Sequence, residues 1–169
     1  MIYSFAPIVN DQSRIVILGA MPSSRSLECQ QYYGNPQNYF WPMLFSLFDE
    51  PFVDDYLLKE QLILRHHLAL WDVLKCCERE GSLDSSITHE APNDFRLFFE
   101  TYPAIQTLVF NGSKACQSFK KYFPDLYQNK TCLQMPSTSP AHTMKREAKR
   151  ACWQKLLLLL AQIESTVER

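Results

Sequence analysis

Aromatic and carboxamide side chains are crowded into one short stretch, residues 32–41, of this 169-residue chain. Around one glycine and one proline lie flat rings and primary amides: Tyr32, Tyr33, Asn35, Asn38, Tyr39, Phe40 and Trp41. A flat ring can stack on a nucleobase, and a carboxamide offers the donor and acceptor needed to read the edge of a base. The stretch therefore predicts a site that binds a base.

Three polar loops each follow a predicted buried strand and carry hydroxyl or amide groups. The first loop is residues 19–24 (GAMPSS), the second loop is residues 111–113 (NGS), and the third loop is residues 137–143 (STSPAHT). Open α/β sheets bind their ligands at the carboxyl ends of the strands. We therefore expect the three loops to converge on one site.

Short apolar and β-branched runs predict four buried strands, at residues 14–18, 68–74, 106–110 and 131–135. Apolar stripes predict helices at residues 38–48, 54–64, 93–100, 113–122 and 145–163. Residues 78–85 are expected to form a polar loop. Because strands and helices alternate, the chain is predicted to be α/β, a three-layer α/β/α sandwich with a short, mainly parallel central sheet.

The composition predicts a single domain over residues 1–169, since 46% of the residues are hydrophobic and 21% are charged. The longest apolar run, residues 156–161, is too short to cross a bilayer, and no targeting signal stands out. A cytoplasmic protein without a membrane span is the prediction. The six cysteines lack the spacing of a metal site, so we expect reduced thiols, no metal and no cofactor.

Charge is distributed unevenly, although the formal net charge is only −1. Residues 1–102 carry 7 Lys/Arg and 14 Asp/Glu, a formal charge of −7. Residues 103–169 carry 10 Lys/Arg and 4 Asp/Glu, a formal charge of +6. Such an asymmetry can give a basic face that binds nucleic acid. Ordinary solvated surface charge explains it equally well.

The loops and the aromatic stretch together resemble the uracil-DNA glycosylase superfamily, and in particular its hypoxanthine (deoxyinosine) DNA glycosylase branch. The resemblance is carried in chain order by GAMPSSRSLECQQYYGNPQNYFW, LWDVLKCCEREGSLDSSI, NDF, VFNG and MPSTSPAH, which cover most of residues 15–142. Mismatch-specific uracil glycosylases resemble the first block as well. They differ in carrying a catalytic asparagine where this chain has Met21.

The resemblance implies a monofunctional DNA glycosylase that flips a deaminated base out of DNA and hydrolyses its N-glycosidic bond in base excision repair. Hypoxanthine is the base implied first, with uracil or xanthine as further substrates. The implied enzyme is a monomer that needs no metal. A mismatch-specific uracil/thymine-DNA glycosylase and a noncatalytic module that binds damaged DNA or nucleotides are the alternatives.

Roles for single residues follow from the same resemblance. Asn38 and Asn111 are the implied catalytic residues, and the implied base-binding residues are Met21, Tyr33 and Asn111. From the residues alone, Asn38 is also suited to capping a helix, Asn111 to a turn, and Tyr33 to core packing.

DNA contacts are implied for the first and third loops, whose hydroxyls can donate to phosphates without adding charge. The implied DNA-binding residues are Pro22, Ser23, Ser24, Ser137, Thr138, Ser139, Pro140, His142 and Lys145. Three more cations follow Lys145, and they fit either phosphate contacts or a solvated helix face: Arg146, Lys149 and Arg150. For Asp72, an acid in a buried context, an ion pair or a helix cap is expected ahead of a role as general base.

Overall fold

The computed structural model describes residues 1–167, which form seven strands and eight α-helices. The strands are β1 (Ile2–Tyr3), β2 (Ile15–Gly19), β3 (Leu68–Asp72), β4 (Leu74–Glu78), β5 (Thr88–Pro92), β6 (Thr107–Asn111) and β7 (Thr131–Met135). The helices are α1 (Ser24–Cys29), α2 (Phe40–Leu47), α3 (Tyr56–Arg65), α4 (Phe95–Thr101), α5 (Ser113–Tyr122), α6 (Pro124–Asn129), α7 (Arg146–Trp153) and α8 (Lys155–Val167).

Four parallel strands form the central sheet, in the order β3-β2-β6-β7. Every residue of β2 is buried, and alternate side chains face opposite sides of the sheet. Ile15 and Ile17 pack into one apolar cluster, whereas Val16 and Leu18 pack into a second. A strand buried on both faces is typical of a parallel sheet covered by helices, and explains the continuous apolar run.

Helices cover both faces of this sheet, which confirms the predicted three-layer sandwich. The cluster on the first face includes side chains of α2, α3, α7 and α8, among them Phe40, Leu62, Trp153 and Leu156. The cluster on the second face includes side chains of α4 and α5, among them Phe95, Phe98, Ala115 and Phe119.

All six cysteines are free thiols, as predicted. Within residues 1–167 no helix is both long and apolar enough to cross a membrane.

A second, antiparallel sheet of order β1-β4-β5 was not predicted from the sequence. The strand predicted at residues 68–74 ends two residues earlier, at Asp72, because the chain leaves the central sheet at Val73 to begin β4. The Val73 amide donates to the Gly19 carbonyl at 2.8 Å, and the Val73 carbonyl accepts from the Asn93 amide at 2.9 Å. This bend carries the hairpin loop between β4 and β5, residues 79–87, to the carboxyl end of the central sheet.

Three local differences separate the predicted helices from the observed ones. The predicted helix at residues 145–163 is two helices, α7 and α8, which meet at Gln154 directly after the buried Trp153. The Trp153 indole donates to the Pro136 carbonyl at 2.9 Å and so fixes α7 against the third loop. The helix predicted at residues 93–100 begins two residues later, at Phe95, because Asp94 caps α4 by accepting from the Leu97 amide at 3.0 Å. Helices α1 and α6 had no clear apolar stripe and were not predicted.

Candidate active site

All three loops border one cavity of about 380 Å³ at the carboxyl end of the central sheet, as predicted. The aromatic stretch supplies another part of its wall through Tyr32, Tyr33 and Asn38. Asp72, the last residue of β3, supplies a fourth strand end. Parallel strands bring these sequence-distant groups together because their carboxyl ends share one edge of the sheet.

Most of the residues that the resemblance implied lie in the wall of this cavity: Met21, Pro22, Ser23, Tyr33, Asn38, Asn111, Ser137, Thr138, Ser139 and His142. Three implied DNA-binding residues are not part of the wall, namely Ser24, Pro140 and Lys145, and all three are exposed. The Ser24 hydroxyl donates to the Gly81 carbonyl at 3.0 Å and so ties the first loop to the hairpin loop. The roles of all these residues in DNA binding stay predictions.

Asn38 holds its carboxamide at the start of α2. Its Oδ1 accepts from the Phe40 amide at 3.0 Å, so the side chain supplies the helix cap that the sequence allowed, one residue ahead of the formal cap position. This contact fixes the amide orientation, and Nδ2 donates to no protein group among the residues described. A preoriented donor in a cavity stabilises negative charge that develops on a bound group.

Tyr33 packs its ring nearly parallel to the fully buried Phe40, with centroids 4.0 Å apart and planes at 24°. Its backbone lies in the left-handed region at φ 53°, which is uncommon for a bulky residue. The phenol oxygen is buried and has no hydrogen-bond partner among the residues described. Burial, and after it the charge of Asp72, raises the pKa of Tyr33, so the hydroxyl stays protonated. The stacking of a base on this ring stays a prediction.

Asn111 clamps the third loop onto the end of β6. Its Nδ2 donates to Thr138 Oγ1 at 2.9 Å, and its Oδ1 accepts from the Thr138 amide at 3.0 Å. Both partners are buried, with Asn111 8% and Thr138 1% exposed. One amide hydrogen and one lone pair of Asn111 remain for a ligand. Base reading by Asn111 therefore stays a prediction, with the clamp as a second function of the same side chain.

The cations after Lys145 are largely engaged within the protein. Lys149 is only 3% exposed, and its Nζ donates to the Ser139 carbonyl at 3.0 Å. Burial lowers the pKa of Lys149. Arg146 lies over the Tyr39 ring at 4.8 Å, and Arg150 Nε donates to Ser46 Oγ at 2.8 Å. The prediction of a solvated helix face is therefore wrong for Lys149, which holds the third loop through the Ser139 carbonyl.

Sequence reasoning missed the hairpin loop, which contributes Ser82, Leu83, Asp84 and Ser85 to the cavity wall. Arg79 holds this loop in place, since its Nη2 donates to the Pro22 carbonyl at 2.6 Å and its Nε to the Gly81 carbonyl at 2.8 Å. These residues were predicted to form a polar loop, and no role in the site was assigned to them. Their place in the site depends on the pairing of β4 with β5, and no strong hydrophobic periodicity in the sequence indicates that pairing.

Asp72 is buried at the floor of the cavity, with 3% of its surface exposed. Its Oδ2 has no hydrogen-bond partner, and the carboxylate forms no salt bridge within residues 1–167. The expected ion pair or helix cap is therefore wrong. Burial first, and the charge of Asp84 second, raise the pKa of Asp72 from 3.8 to about 7, against the opposing effect of Arg79.

Asp72→Asn is expected to stabilise the protein at neutral pH. Because the pKa of Asp72 rises from the ordinary 3.8 to about 7 on folding, this carboxyl costs stability progressively as pH increases from about 4 to about 7. The free energy of unfolding of the variant should exceed that of the wild type by roughly 2–4 kcal/mol at pH 8 and by little at pH 4. Denaturant titrations at several pH values measure this. The exposed Asp11→Asn is the matched control, and a difference independent of pH would contradict the assignment.

No cluster of three His, Cys, Asp or Glu side chains that could hold a metal ion occurs in the described part of the chain. Lysine and cysteine are also absent from the cavity wall, as far as residues 1–167 show. The wall consists of neutral amides, hydroxyls, aromatic rings and two carboxyls, with His142 at its rim. Such a wall can bind a neutral planar group and stabilise charge on it, but it offers no amine or thiol nucleophile.

Residues 6–158 match the family model of the uracil DNA glycosylase superfamily. A protein of Methanosarcina acetivorans named hypoxanthine DNA glycosylase is 36% identical over 155 residues, which cover 89% of this chain and 94% of the relative. A protein of Methanosarcina barkeri with the same name is 32% identical over 154 residues, which cover 88% of this chain and 93% of the relative.

A solved structure shows the same architecture. The solution NMR structure of a Methanosarcina acetivorans protein, described as a candidate uracil DNA glycosylase, is similar with a TM-score of 0.80 and 34% identity. The match covers 94% of this chain and 98% of the other. Fold, chain length and sequence therefore agree over nearly the whole molecule.

Proposed function

The chain belongs to the uracil DNA glycosylase superfamily, and we propose that hypoxanthine is the principal base it removes. It is a DNA glycosylase that acts on deaminated bases. In the proposed reaction the deoxyinosine nucleotide leaves the stack, its base enters the cavity, and water replaces the base at the sugar C1′. We further propose that one copy of the chain acts alone, in the cytoplasm.

The observation that carries this proposal is the unpartnered Nδ2 of Asn38 in the cavity wall. When the glycosidic bond breaks, its electron pair moves onto the base, and an oriented neutral donor lowers the energy of that state. An Oδ1 lone pair not used by the Phe40 amide can still orient the attacking water. Both uses require the amide to be held still, which the contact with the start of α2 provides.

Hydrolysis without a covalent intermediate is supported by the composition of the wall. Among the described residues that line the cavity, none is a lysine or a cysteine that can attack C1′. A lysine nucleophile would leave a Schiff base with the opened sugar, whereas water leaves an intact abasic site. The wall therefore favours a monofunctional glycosylase.

We expect a labelled duplex with one deoxyinosine to break at that position only after enzyme treatment followed by alkali. Enzyme without alkali should leave the strand intact, and borohydride should trap no protein–DNA adduct, because no amine attacks the sugar. A matched undamaged duplex and a deoxyuridine duplex are the controls. Cleavage of the deoxyuridine duplex alone would contradict the proposed base, and strand scission without alkali would contradict the monofunctional reaction.

Met21 separates this proposal from a mismatch-specific uracil/thymine glycosylase. The side chain is buried in the apolar cluster that also holds Leu18 and Phe110, and it borders the cavity. A thioether donates no hydrogen bond and holds water poorly, so it cannot replace an asparagine that orients water. In this chain an oriented amide comes from the aromatic stretch instead, at Asn38.

A further inference from the structure

We propose that the carboxyl group of Asp72 is the acid that protonates the departing base, and that this makes the site selective for purines over pyrimidines. The inference rests on the proposed function and names the class of base that the same cavity accepts. It gives a catalytic use to a side chain that the reaction described above leaves idle.

The position of Asp72 favours contact with a bound base. It lies at the floor of the cavity, between the end of β3 and the backbone of Gly19. A Cβ atom at position 19 would lie 2.7 Å from Asp72 Oδ1 and 3.0 Å from the Tyr33 hydroxyl, so only glycine leaves room for both side chains. Buried carboxyl oxygens normally have hydrogen-bond partners. Oδ2 of Asp72 has none among the residues described, which suits a group whose partner is the substrate.

Few other groups in the wall can serve as the acid. Of the cavity-lining residues that the structure describes, Asp84 and His142 are the remaining candidates, and both are exposed. Desolvation raises the pKa of Asp84 as well, but the Asp84 side chain reaches solvent, whereas Asp72 is only 3% exposed. The tyrosine hydroxyls of the wall are too weakly acidic, since burial raises the pKa of Tyr32 and of Tyr33. Asp72 is the acid that combines burial with contact to the cavity.

Burial and a neighbouring carboxylate keep the Asp72 carboxyl partly protonated near neutral pH. Burial is the first cause of the raised pKa, which lies at about 7, and the carboxylate of Asp84 in the hairpin loop is the second. Arg79, which holds that loop, acts in the opposite direction. The other titratable groups that interact with Asp72 are three neutral hydroxyls, those of Tyr32, Tyr33 and Tyr56.

Protonation discriminates between the two classes of base. When the bond between C1′ and N9 of hypoxanthine breaks, the electron pair stays on the base, and N3 or N7 of the ring can accept the Asp72 proton. Hypoxanthine then leaves as a neutral molecule. Water adds to C1′ and loses a proton, which restores the carboxyl group for the next turnover. Uracil has no ring nitrogen with a free lone pair before its bond breaks, so an acid at this place assists it far less.

The test is the pH profile of single-turnover excision of deoxyinosine, from about pH 5 to about pH 9, by wild type and two variants. The wild-type rate should fall above about pH 7, where Asp72 loses its proton. Asp72→Asn should be slower than wild type by about tenfold to a hundredfold at acidic pH, because an amide donates a hydrogen bond but no proton. Its rate should not decrease above about pH 7, unlike the wild-type rate. Asp84→Asn should move the fall to lower pH, since it removes a charge that raises the pKa of Asp72.

Each other outcome has a distinct meaning. An Asp72→Asn variant that keeps the wild-type rate and pH profile overturns the inference and leaves the proposed function intact. So does a wild-type rate that rises with pH, which would make the ionised carboxylate a base, or an Asp84→Asn profile that does not move. A wild type that releases no hypoxanthine overturns the proposed function itself. Thermal unfolding of each variant confirms that it is folded, and Asp11→Asn is the remote carboxyl control.

Discussion

Asn38→Ala is expected to slow single-turnover excision of hypoxanthine by about 10²–10³-fold, which is the usual effect of removing one oriented donor from an active site. The loss should appear in the rate of bond cleavage with little change in DNA affinity, because the amide acts on charge that develops only as the bond breaks. Alanine also removes the cap on the Phe40 amide, at a cost of about 1 kcal/mol in stability. Rates measured well below the melting temperature separate the two effects.

Asn38→Asp is the matched variant for this prediction. Its carboxylate keeps the contact with the start of α2, where negative charge is favourable, so stability should be retained. An ionised carboxylate cannot donate a hydrogen bond to the base. If the amide acts as a donor, Asn38→Asp is as slow as Asn38→Ala. Wild-type activity in Asn38→Asp would show instead that the residue acts by orienting water, and would contradict the donor role.

Asn111→Ala is expected to lower the stability of the protein and the rate of excision together. Two buried groups of Thr138 lose their partner, and an unsatisfied buried group costs about 1–3 kcal/mol, so the free energy of unfolding should fall by roughly 2–6 kcal/mol. Excision should fall by about 10²-fold, because a small displacement of the third loop disturbs the reacting geometry. Denaturant unfolding and single-turnover rates measure the two effects.

Variants of Thr138 separate the clamp from base reading by Asn111. Thr138→Ser keeps both contacts with Asn111 and should behave as wild type, whereas Thr138→Val keeps only the contact through the backbone amide. If the clamp is the main function of Asn111, Asn111→Ala weakens the binding of deoxyinosine and undamaged duplexes alike. Selective loss of deoxyinosine binding, with unchanged stability, would contradict the clamp and favour base reading.

The two inner strands of the central sheet, β2 and β6, were predictable from sequence because they are buried on both faces and therefore appear as nearly continuous apolar runs. The second sheet was not. Strand β5 is THEAP, which carries no apolar alternation and ends in proline, and its pairing with β4 has register shifts at Cys76. Such a strand forms because the bend at Val73 presents β4 as a partner, and a contact between distant residues leaves no local pattern.

The types of side chain in the sequence predicted where the cavity lies, but not the burial or the partners of each charged group near it. A cation on a charged helix predicts a solvated surface, yet Lys149 is buried because the Ser139 carbonyl lies within reach of its ammonium group. An acid in an apolar strand predicts an ion pair, yet Asp72 has none, because the nearby cation Arg79 donates to the Pro22 and Gly81 carbonyls instead. Both outcomes depend on which neighbours the fold brings together, and that is fixed by the tertiary structure.

The most direct test of the account is the chemical identity of what the wild-type enzyme releases from a duplex with one deoxyinosine. Mass spectrometry of the released small molecules and of the remaining DNA strand, with the reaction run in water enriched in a heavy oxygen isotope, identifies both products. We expect free, unlabelled hypoxanthine in an amount equal to the abasic sites formed, with the heavy oxygen on the sugar. Intact deoxyinosine DNA under conditions where the protein binds it, or release of a nucleotide in place of the free base, would contradict the account.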